Sequence, residues 1–384
     1  MTTRGTNWIE GAEVPARRGA WYEPAAEGGG PAGVRRPRST VEDLDLALGA
    51  AAGAERAWRA QGRAARCALL EHAAARLLDT PDPGDAARRA LGFEGPELAE
   101  HLAGLEQALA DGLGTAPALA RGPLGAREGA CLLAPAWAAT WLAPARAAWF
   151  ALAAGRPVIL APDGRLPSIG DAFREALRDL PPGVFGVLHD DGRTLVRAAE
   201  AHARLPTLVA SAERLDDAAE RAAHVVVAPA RRATLVVDPG ADLEAQAQRA
   251  VRDAIGRARA LSGSRSGQVG RVVVPERAFS RVEELVLGHL ETLPDAARPL
   301  CIARAAQDQA LDDALALGLD EGATAILAGR DAQVAPFPLL FTNVEPGMRV
   351  AQLARPLGLV ALLRARDLRA AHALAARLDR EVRS

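Results

Sequence analysis

The segment Ala151–Pro162, which reads ALAAGRPVILAP, decides the fold of this chain. Its alanine-rich first part closes the stretch Ala134–Ala154, which two prolines and an arginine interrupt. We interpret that stretch as buried core, because a membrane span needs an unbroken run of about 18 apolar residues. The second part contains Pro157–Leu160, a short apolar run that predicts a buried strand.

Short apolar runs of the same kind recur after residue 131 and alternate with helical segments rich in Ala, Arg and Glu. The further candidate strands are Val184–Leu188, Thr207–Val209, His224–Val227, Thr234–Val237, Arg271–Val274, Ala323–Leu327 and Leu359–Leu363. Strands that are apolar throughout and separated by helices predict an α/β fold with parallel sheets covered on both faces. Upstream, Ser39–Glu42 has a capping-box pattern that starts a helical region reaching about Leu78.

Composition excludes several classes of function. The 384 residues carry a formal net charge of −2, so there is no electrostatic case for binding nucleic acid or an anionic membrane. Every basic residue is arginine, which excludes a Schiff-base or phosphate-loop lysine. Cys67, Cys131 and Cys301 are sparse and widely spaced, as expected of reduced thiols. The opening residues lack the apolar core of a signal peptide, so we expect a cytoplasmic protein.

General motif rules do not identify an activity. The glycine-rich segment Leu261–Arg271, LSGSRSGQVGR, departs from G-x-G-x-x-G and lies between a predicted helix and the following strand, the reverse of a dinucleotide-binding turn. The seven histidines form no His-x-x-x-His pair and the cysteines no Cys-x-x-Cys pair, so no metal is expected. We interpret the arginine cluster Arg35, Arg36 and Arg38 as a solvated loop face.

Taken end to end, the chain resembles the aldehyde dehydrogenase superfamily. The motifs that carry the resemblance are Asn7–Gly11 (NWIEG), Pro123–Gly125 (PLG), Ala151–Pro162 against the family's ALAAGN-x-VV-x-KP, Leu180–Val184 (LPPGV), Ala241–Leu243 after Asp238, and Val344–Met348 (VEPGM). They occur in family order over nearly the whole length. The resemblance implies a Rossmann-type nucleotide-binding domain over 1–226 and an α/β catalytic-type domain, shortened at its C-terminus, over 227–384.

The resemblance also locates the family's catalytic positions. The nucleophilic cysteine stands five residues before the arginine that opens a valine-rich strand, so with Arg271 as that arginine the position holds Ser266. The general-base glutamate, counted back from Asp238, falls on Val227. A serine hydroxyl is far less acidic than a thiol, and valine cannot accept a proton. Both catalytic positions are therefore predicted to be inactive.

The family's cofactor positions are replaced as well. The asparagine that donates to the oxyanion falls on Trp137, and the lysine that holds the cofactor ribose falls on Ala161. The turn before the cofactor-facing helix reads Val209–Ala212 and includes Ser211, and the acidic residues within Glu213–Asp217 would repel a pyrophosphate. We therefore expect no cofactor, and NAD(P) is implied by the family resemblance alone.

The resulting hypothesis is an aldehyde dehydrogenase-like pseudoenzyme that associates with an active aldehyde dehydrogenase subunit. It resembles the non-catalytic second domain of two-domain family-sixteen aldehyde dehydrogenases. The expected contact is an exposed strand near Arg121–Ala130, which a partner strand would cover. Two alternatives stay open: a functional NAD(P)-dependent aldehyde oxidoreductase with rearranged site residues, and a binding module for another small ligand.

Overall fold

The computed structural model describes residues 3–24, 34–79, 95–114, 128–135, 141–164, 166–191, 194–203, 205–211, 225–228, 232–259, 268–291, 304–327, 339–352 and 359–381. Backbone contacts divide the chain into two units, Met1–Ala228 and Pro229–Ser384. The boundary predicted from the sequence lies two residues earlier, after residue 226, so Val227 belongs by its contacts to the first unit. The nucleotide-binding and catalytic roles assigned to the two parts stay predictions.

The first unit combines helices with a large mixed sheet. Its described helices are α1 (Val41–Ala60), α2 (Gly62–Asp79), α3 (Gly95–Leu113), α4 (Leu142–Ala153), α5 (Ser168–Leu177) and α6 (Thr194–Glu200). Its described strands are β1 (Thr3–Arg4), β2 (Asn7–Ile9), β3 (Ala12–Val14), β4 (Trp21–Tyr22), β5 (Val34–Pro37), β6 (Cys131–Ala134), β7 (Val158–Leu160), β8 (Phe185–Val187), β9 (Thr207–Ser211) and β10 (Val225–Ala228).

Seven of these described strands form one sheet in the order β10-β9-β6-β7-β8-β2-β3. The strands from β6 to β10 pair in parallel, whereas β2 pairs antiparallel with both β8 and β3. The strands β1, β5 and β4 form a separate small sheet. The predicted parallel pairing was wrong at these margins, where β1 to β5 lie outside the runs that the sequence predicts as strands.

The parallel part of the sheet is buried as its apolar sequence predicts. Every residue of β6, β7 and β8 is buried. Helix α4 is likewise buried over most of its surface, and it packs so closely against α3 that a Cβ on Gly112 would lie 2.8 Å from the Cβ of Trp149. The Trp149 indole N–H donates to the carbonyl of Leu70 on α2 at 3.0 Å. The segment interpreted as buried core is therefore a core helix.

The first helical region differs in two details from its prediction. Thr40, not Ser39, is the N-cap of α1, because its backbone N–H donates to the carboxylate of Asp43 at 2.9 Å. The region is also two helices, separated where Gly62 takes a φ of +73°.

Arg66 on α2 is buried and donates to the carbonyls of Arg59 at 2.9 Å and of Ala153 at 3.0 Å, so one guanidinium caps the C-termini of α1 and α4.

The second unit is a smaller α/β layer structure. Its described helices are α7 (Leu243–Arg259), α8 (Glu276–Glu291), α9 (Arg304–Asp320), α10 (Arg349–Gln352) and α11 (Leu368–Glu381). Its described strands are β11 (Arg232–Val236), β12 (Gln268–Pro275), β13 (Thr324–Leu327), β14 (Leu339–Val344) and β15 (Leu359–Ala365). They form a sheet in the order β11-β12-β15-β14-β13, in which only β13 among these strands pairs antiparallel.

Each of the eight apolar runs predicted as strands overlaps a strand, which confirms the α/β class. Arg271, the arginine used to place the nucleophile position, lies in β12 and is fully buried. Its guanidinium donates to the carbonyl of Leu378 at 3.3 Å, so it ties β12 to α11. Across the part of the chain that the structure describes, no helix is both long and apolar enough to cross a membrane.

Candidate functional site

The carboxyl edge of the seven-stranded sheet is the candidate site of the first unit. The chain passes from β6 to β7 and β8 on one side, then returns to β9 and β10 on the other side of β6. Open α/β sheets bind ligands beyond the carboxyl ends of their strands, where the strand order reverses. In this unit the reversal lies between β6 and β9, where Ala134 pairs with Ala210.

Three of the five positions carried over from the family lie at this edge. Ala161 directly follows β7, Ser211 is the last residue of β9, and Val227 lies in β10. The strand register places Val227 beside Ala210 and therefore one residue from the end of β9. Trp137 and Ser266 lie outside the described residues, so the oxyanion and nucleophile positions stay predictions.

One expectation about this edge was wrong. Val209–Ala212 was taken as a turn before a helix, but Val209, Ala210 and Ser211 form the end of β9 and pair with both β6 and β10. These residues pair with β6 on one side and with β10 on the other. The strand continues through them because hydrogen bonds to both neighbouring strands use their backbone groups. The acidic segment Glu213–Asp217 lies outside the described residues.

Ala161 tests whether the edge fits the dinucleotide that the resemblance implies. The residue is fully buried, and its backbone N–H donates to the carbonyl of Leu133 at 2.8 Å. A methyl group has no donor for a ribose hydroxyl, and the backbone donor of the same residue is already used in the sheet. This position therefore does not fit the ribose of a nicotinamide cofactor.

Where the loop after β8 meets α6, a buried carboxylate already occupies the start of the helix. Asp190, fully buried, accepts a hydrogen bond from the backbone N–H of Leu195 at 3.0 Å and so caps α6 with a carboxylate. Asp163 is buried in the neighbouring loop. A Cβ on Gly164 would lie 2.6 Å from the carbonyl oxygen of Asp190, so the two loops pack backbone against backbone. The Leu195 N–H at the start of α6, a group of the kind that attracts phosphate, is thus already paired with an acid.

Two buried titratable side chains near the sheet do not supply the missing chemistry. Burial raises the pKa of the Cys131 thiol to about 12, so it is not a thiolate at neutral pH. Burial lowers the pKa of His189 to about 4, an effect that Asp171 opposes and that Arg36 and Arg174 reinforce. Among the described residues no group of three or more His, Cys, Asp or Glu side chains could hold a metal.

The arginine cluster before α1 is the main feature that the sequence analysis misinterpreted. Arg35 and Arg36 lie in β5 rather than in a loop, and Arg36 is 6% exposed and forms an ion pair with Asp171 on α5. Only Arg35 and Arg38 are accessible to solvent, each at about half of its side chain. The sequence did not indicate this four-residue strand, because arginines occupy positions on both faces of β5.

Comparison with known proteins shows which family the chain is similar to. The model of the aldehyde dehydrogenase family matches residues 96–378. Over 207 residues the chain is 32% identical to acetaldehyde dehydrogenase 2 of Cupriavidus necator, a match covering 48% of this chain and 40% of that protein. Over 213 residues it is 30% identical to acetaldehyde dehydrogenase of Pseudomonas aeruginosa, covering 52% of this chain and 42% of that protein. The matched part is less than half the length of these relatives.

Solved structures extend the likeness to nearly the whole chain. A benzaldehyde dehydrogenase from Corynebacterium glutamicum, described as NAD-dependent, superposes with a TM-score of 0.77 at 19% identity and covers 98% of this chain and 86% of its own. An NAD-dependent aldehyde dehydrogenase from Sinorhizobium meliloti superposes with a TM-score of 0.75 at 18% identity, covering 97% and 80%. At such identities the likeness establishes the fold alone, and it confirms the predicted fold class.

Proposed function

Because this chain belongs to the aldehyde dehydrogenase family, we propose that it is a pseudoenzyme of that family which acts by associating with an active aldehyde dehydrogenase subunit. The carboxyl edge of the seven-stranded sheet carries this proposal. Of the three family positions found there, Ala161 and Val227 have hydrocarbon side chains in place of a lysine and a glutamate. The edge keeps the strands of the fold without the groups that the family's reaction needs.

Aldehyde oxidation requires a thiolate that adds to the carbonyl, a base that activates water, and a nicotinamide that accepts hydride. At the nucleophile position Ser266 has a hydroxyl instead of a thiol. At the position of the general base Val227 has a side chain that cannot accept a proton. Loss of one oxyanion donor alone costs about 10²–10³-fold in turnover, and Trp137 replaces that donor. We expect no bound cofactor, because Ala161 and the capped helix α6 disfavour its ribose and phosphates.

Association is proposed for the segment before β6. In the part of this segment that the structure describes, the backbone groups of Gly129 already have hydrogen-bond partners inside the first unit. The Gly129 N–H donates to the carboxylate of Glu55 at 2.9 Å, and the Gly129 carbonyl accepts from Arg156 at 2.9 Å. Of the predicted contact strand Arg121–Ala130, residues 121–127 lie outside the described residues. A partner strand would therefore have to pair with the chain before residue 128.

Catalysis is tested by incubating the purified chain with NAD or NADP and acetaldehyde, benzaldehyde or octanal, while the absorbance of the reduced cofactor is followed. We expect turnover no faster than in the absence of protein. An intact aldehyde dehydrogenase assayed in parallel controls for the substrates. Turnover approaching the ~10 s⁻¹ typical of enzymes would favour the alternative, a functional oxidoreductase with rearranged site residues.

Association is tested separately by tagging the chain in its native cell, purifying it at physiological salt and identifying co-purified proteins by mass spectrometry. We expect an intact aldehyde dehydrogenase subunit in stoichiometric amount. Replacement of residues 121–127 by a Gly/Ser segment of equal length should abolish that association while leaving the fold intact. A chain that elutes alone and monomeric contradicts the proposal and favours the ligand-binding module.

A further inference from the structure

An open pocket of about 590 Å³ lies within the first unit, and its lining does not include Ala161, Ser211 or Val227. Its size is in the range of small-molecule sites. The residues that carry the argument are Trp21, Tyr22 and Glu23 from β4 and its end, Arg35 and Arg38 from β5 and the segment after it, and Asp191 from the loop after β8.

The walls of this pocket are tied together by backbone contacts. The strands β4 and β5 pair antiparallel, and the N–H of Arg38 donates to the carbonyl of Ala20 at 2.9 Å. The next N–H, of Ser39, donates to the carbonyl of His189 at 2.9 Å and joins this wall to the loop after β8. Gly164 forms part of the lining where the loops after β7 and β8 pack most closely. A pocket built in this way is formed before a ligand binds.

Two arginines, Arg35 of β5 and Arg38 of the segment after it, line the pocket. The Nε of Arg35 lies 2.8 Å from a carboxylate oxygen of Glu23, and an Nη of Arg38 lies 2.9 Å from a carboxylate oxygen of Asp191. Each contact uses one nitrogen of a group that has three, so further N–H donors remain on both. Both arginines are about half exposed, and such surface ion pairs are weak enough to share a guanidinium with a ligand.

The remaining lining suits a ring with hydroxyl groups. The indole of Trp21 is half-buried and is held by the Arg4 guanidinium, which lies 5.4 Å from its centroid. Aromatic rings of this kind pack against the C–H face of a sugar, while carboxylates such as those of Glu23 and Asp191 accept hydrogen bonds from its hydroxyls. The formal charges of Glu23, Asp191, Arg35 and Arg38 add to zero, so the pocket does not repel an anion through its net charge.

We propose that this pocket binds a phosphorylated sugar, with the phosphate held between Arg35 and Arg38, the hydroxyls held by Glu23 and Asp191, and the ring against Trp21. A phosphate has oxygens on several sides and can accept from two guanidiniums that approach from different directions. This binding function is independent of the proposed loss of catalysis, and neither proposal falls with the other.

Calorimetry with glucose 6-phosphate as the probe tests the proposal on the intact chain. We expect a dissociation constant of roughly 1 mM or below, and binding at least about 10-fold weaker for glucose, gluconate or inorganic phosphate. Affinity should fall as salt is added, since the phosphate is bound by exposed charges. Absence of binding at several times that concentration, or equal binding of glucose, overturns the proposal.

Variants locate the binding. Arg35→Gln and Arg38→Gln should each weaken glucose 6-phosphate about 10-fold or more, because each removes charge-assisted hydrogen bonds. Trp21→Leu should weaken glucose 6-phosphate while leaving inorganic phosphate unchanged. Arg281→Gln is the matched control, since Arg281 is an exposed arginine in an ion pair with Glu284 in the second unit. Unchanged affinity in both pocket arginine variants, or NAD binding that depends on Arg38, contradicts a sugar phosphate site.

Discussion

The amino end of β7 holds buried packing contacts, whereas its carboxyl end holds one of the positions at which the family binds its cofactor. At the amino end, Gly155 takes a φ of +89°, and Arg156 is 1% exposed and donates to the Gly129 carbonyl and to the Thr207 hydroxyl. At the carboxyl end, Ala161 contributes a methyl group and a sheet hydrogen bond that any residue except proline could make. The fold is fixed at the amino end, and the family's cofactor chemistry belongs to the carboxyl end. A chain can therefore keep the first and lose the second.

Removing the arginine at the amino end should have the largest effect. Arg156→Met deletes hydrogen bonds of 2.9 Å to Gly129 and 2.7 Å to Thr207, and it leaves the fully buried Thr207 hydroxyl without this donor. We expect the free energy of unfolding to fall by about 4 kcal/mol, measured by urea denaturation. The control is Arg178→Met, where an exposed arginine pairs with Glu175 and the change should stay within about 0.5 kcal/mol. A loss below about 1 kcal/mol at Arg156 would show that the turn is held by other contacts.

At the carboxyl ends of the strands, His189 makes stability depend on pH. Its pKa is about 4 in the folded chain, against 6.5 for the unperturbed group, because burial disfavours the charged ring. Between these values the unfolded chain binds the additional proton, so stability is fully present above pH 6.5 and is lost as the pH falls towards 4. The loss should total about 3 kcal/mol. His189→Asn should remove this slope, and parallel slopes in both proteins would contradict the assignment.

Gly155→Ala should destabilise the chain by about 2 kcal/mol, because alanine would have to adopt the left-handed backbone conformation that glycine has here. The added Cβ would also lie 2.9 Å from Cγ of Arg59. Gly53→Ala in α1 is the control: no atom lies within 4 Å of its added Cβ, and helical alanine should stabilise by about 0.5–1 kcal/mol. Thermal denaturation of both variants should therefore give shifts of opposite sign, and shifts of the same sign would refute the role of the turn.

The smallest effect is expected from restoring one catalytic residue. Ser266→Cys returns a thiol at the nucleophile position, but Val227 beside the end of β9 still provides no base. Catalytic groups that act together are strongly non-additive, so the variant should remain at background turnover with every aldehyde tested. Iodoacetamide labelling, followed by mass spectrometry, should show the new thiol reacting. Dehydrogenase activity in this single variant would show that the carboxyl edge is more complete than its side chains indicate.

The fold was predictable from the sequence where burial gives a strong pattern. The runs around β7 and β8 are apolar throughout, the run at β12 has three valines after Arg271, and each forms a strand inside its sheet. The strand β14 was missed because Leu339–Val344 includes Thr342 and Asn343, and Asn343 takes a φ of +56° that interrupts the regular pairing. Polar residues at these positions predict a loop rather than a strand, since asparagine favours turns.

The candidate site was predictable only through the spacing of family motifs. Counting residues put Ala161 and Val227 at the ends of two predicted strands and Ser211 in a turn before a helix, whereas in the structure Ala161, Ser211 and Val227 all lie at one edge of a sheet. The pocket around Arg35 and Arg38 could not be found in this way. Its residues are separated by up to 170 positions in the chain, and only the pairing of β4 with β5 and the packing of the loop after β8 bring them together.

Arg66 links parts of the first unit that the sequence keeps far apart. Its guanidinium joins the last turn of α1 to the last turn of α4 while its own backbone belongs to α2. When either helix end frays, this largely buried cation loses a hydrogen-bond acceptor, so fraying of one end raises the free energy of the other. The amide protons of the three helices should therefore exchange with solvent deuterium in a single cooperative opening rather than end by end.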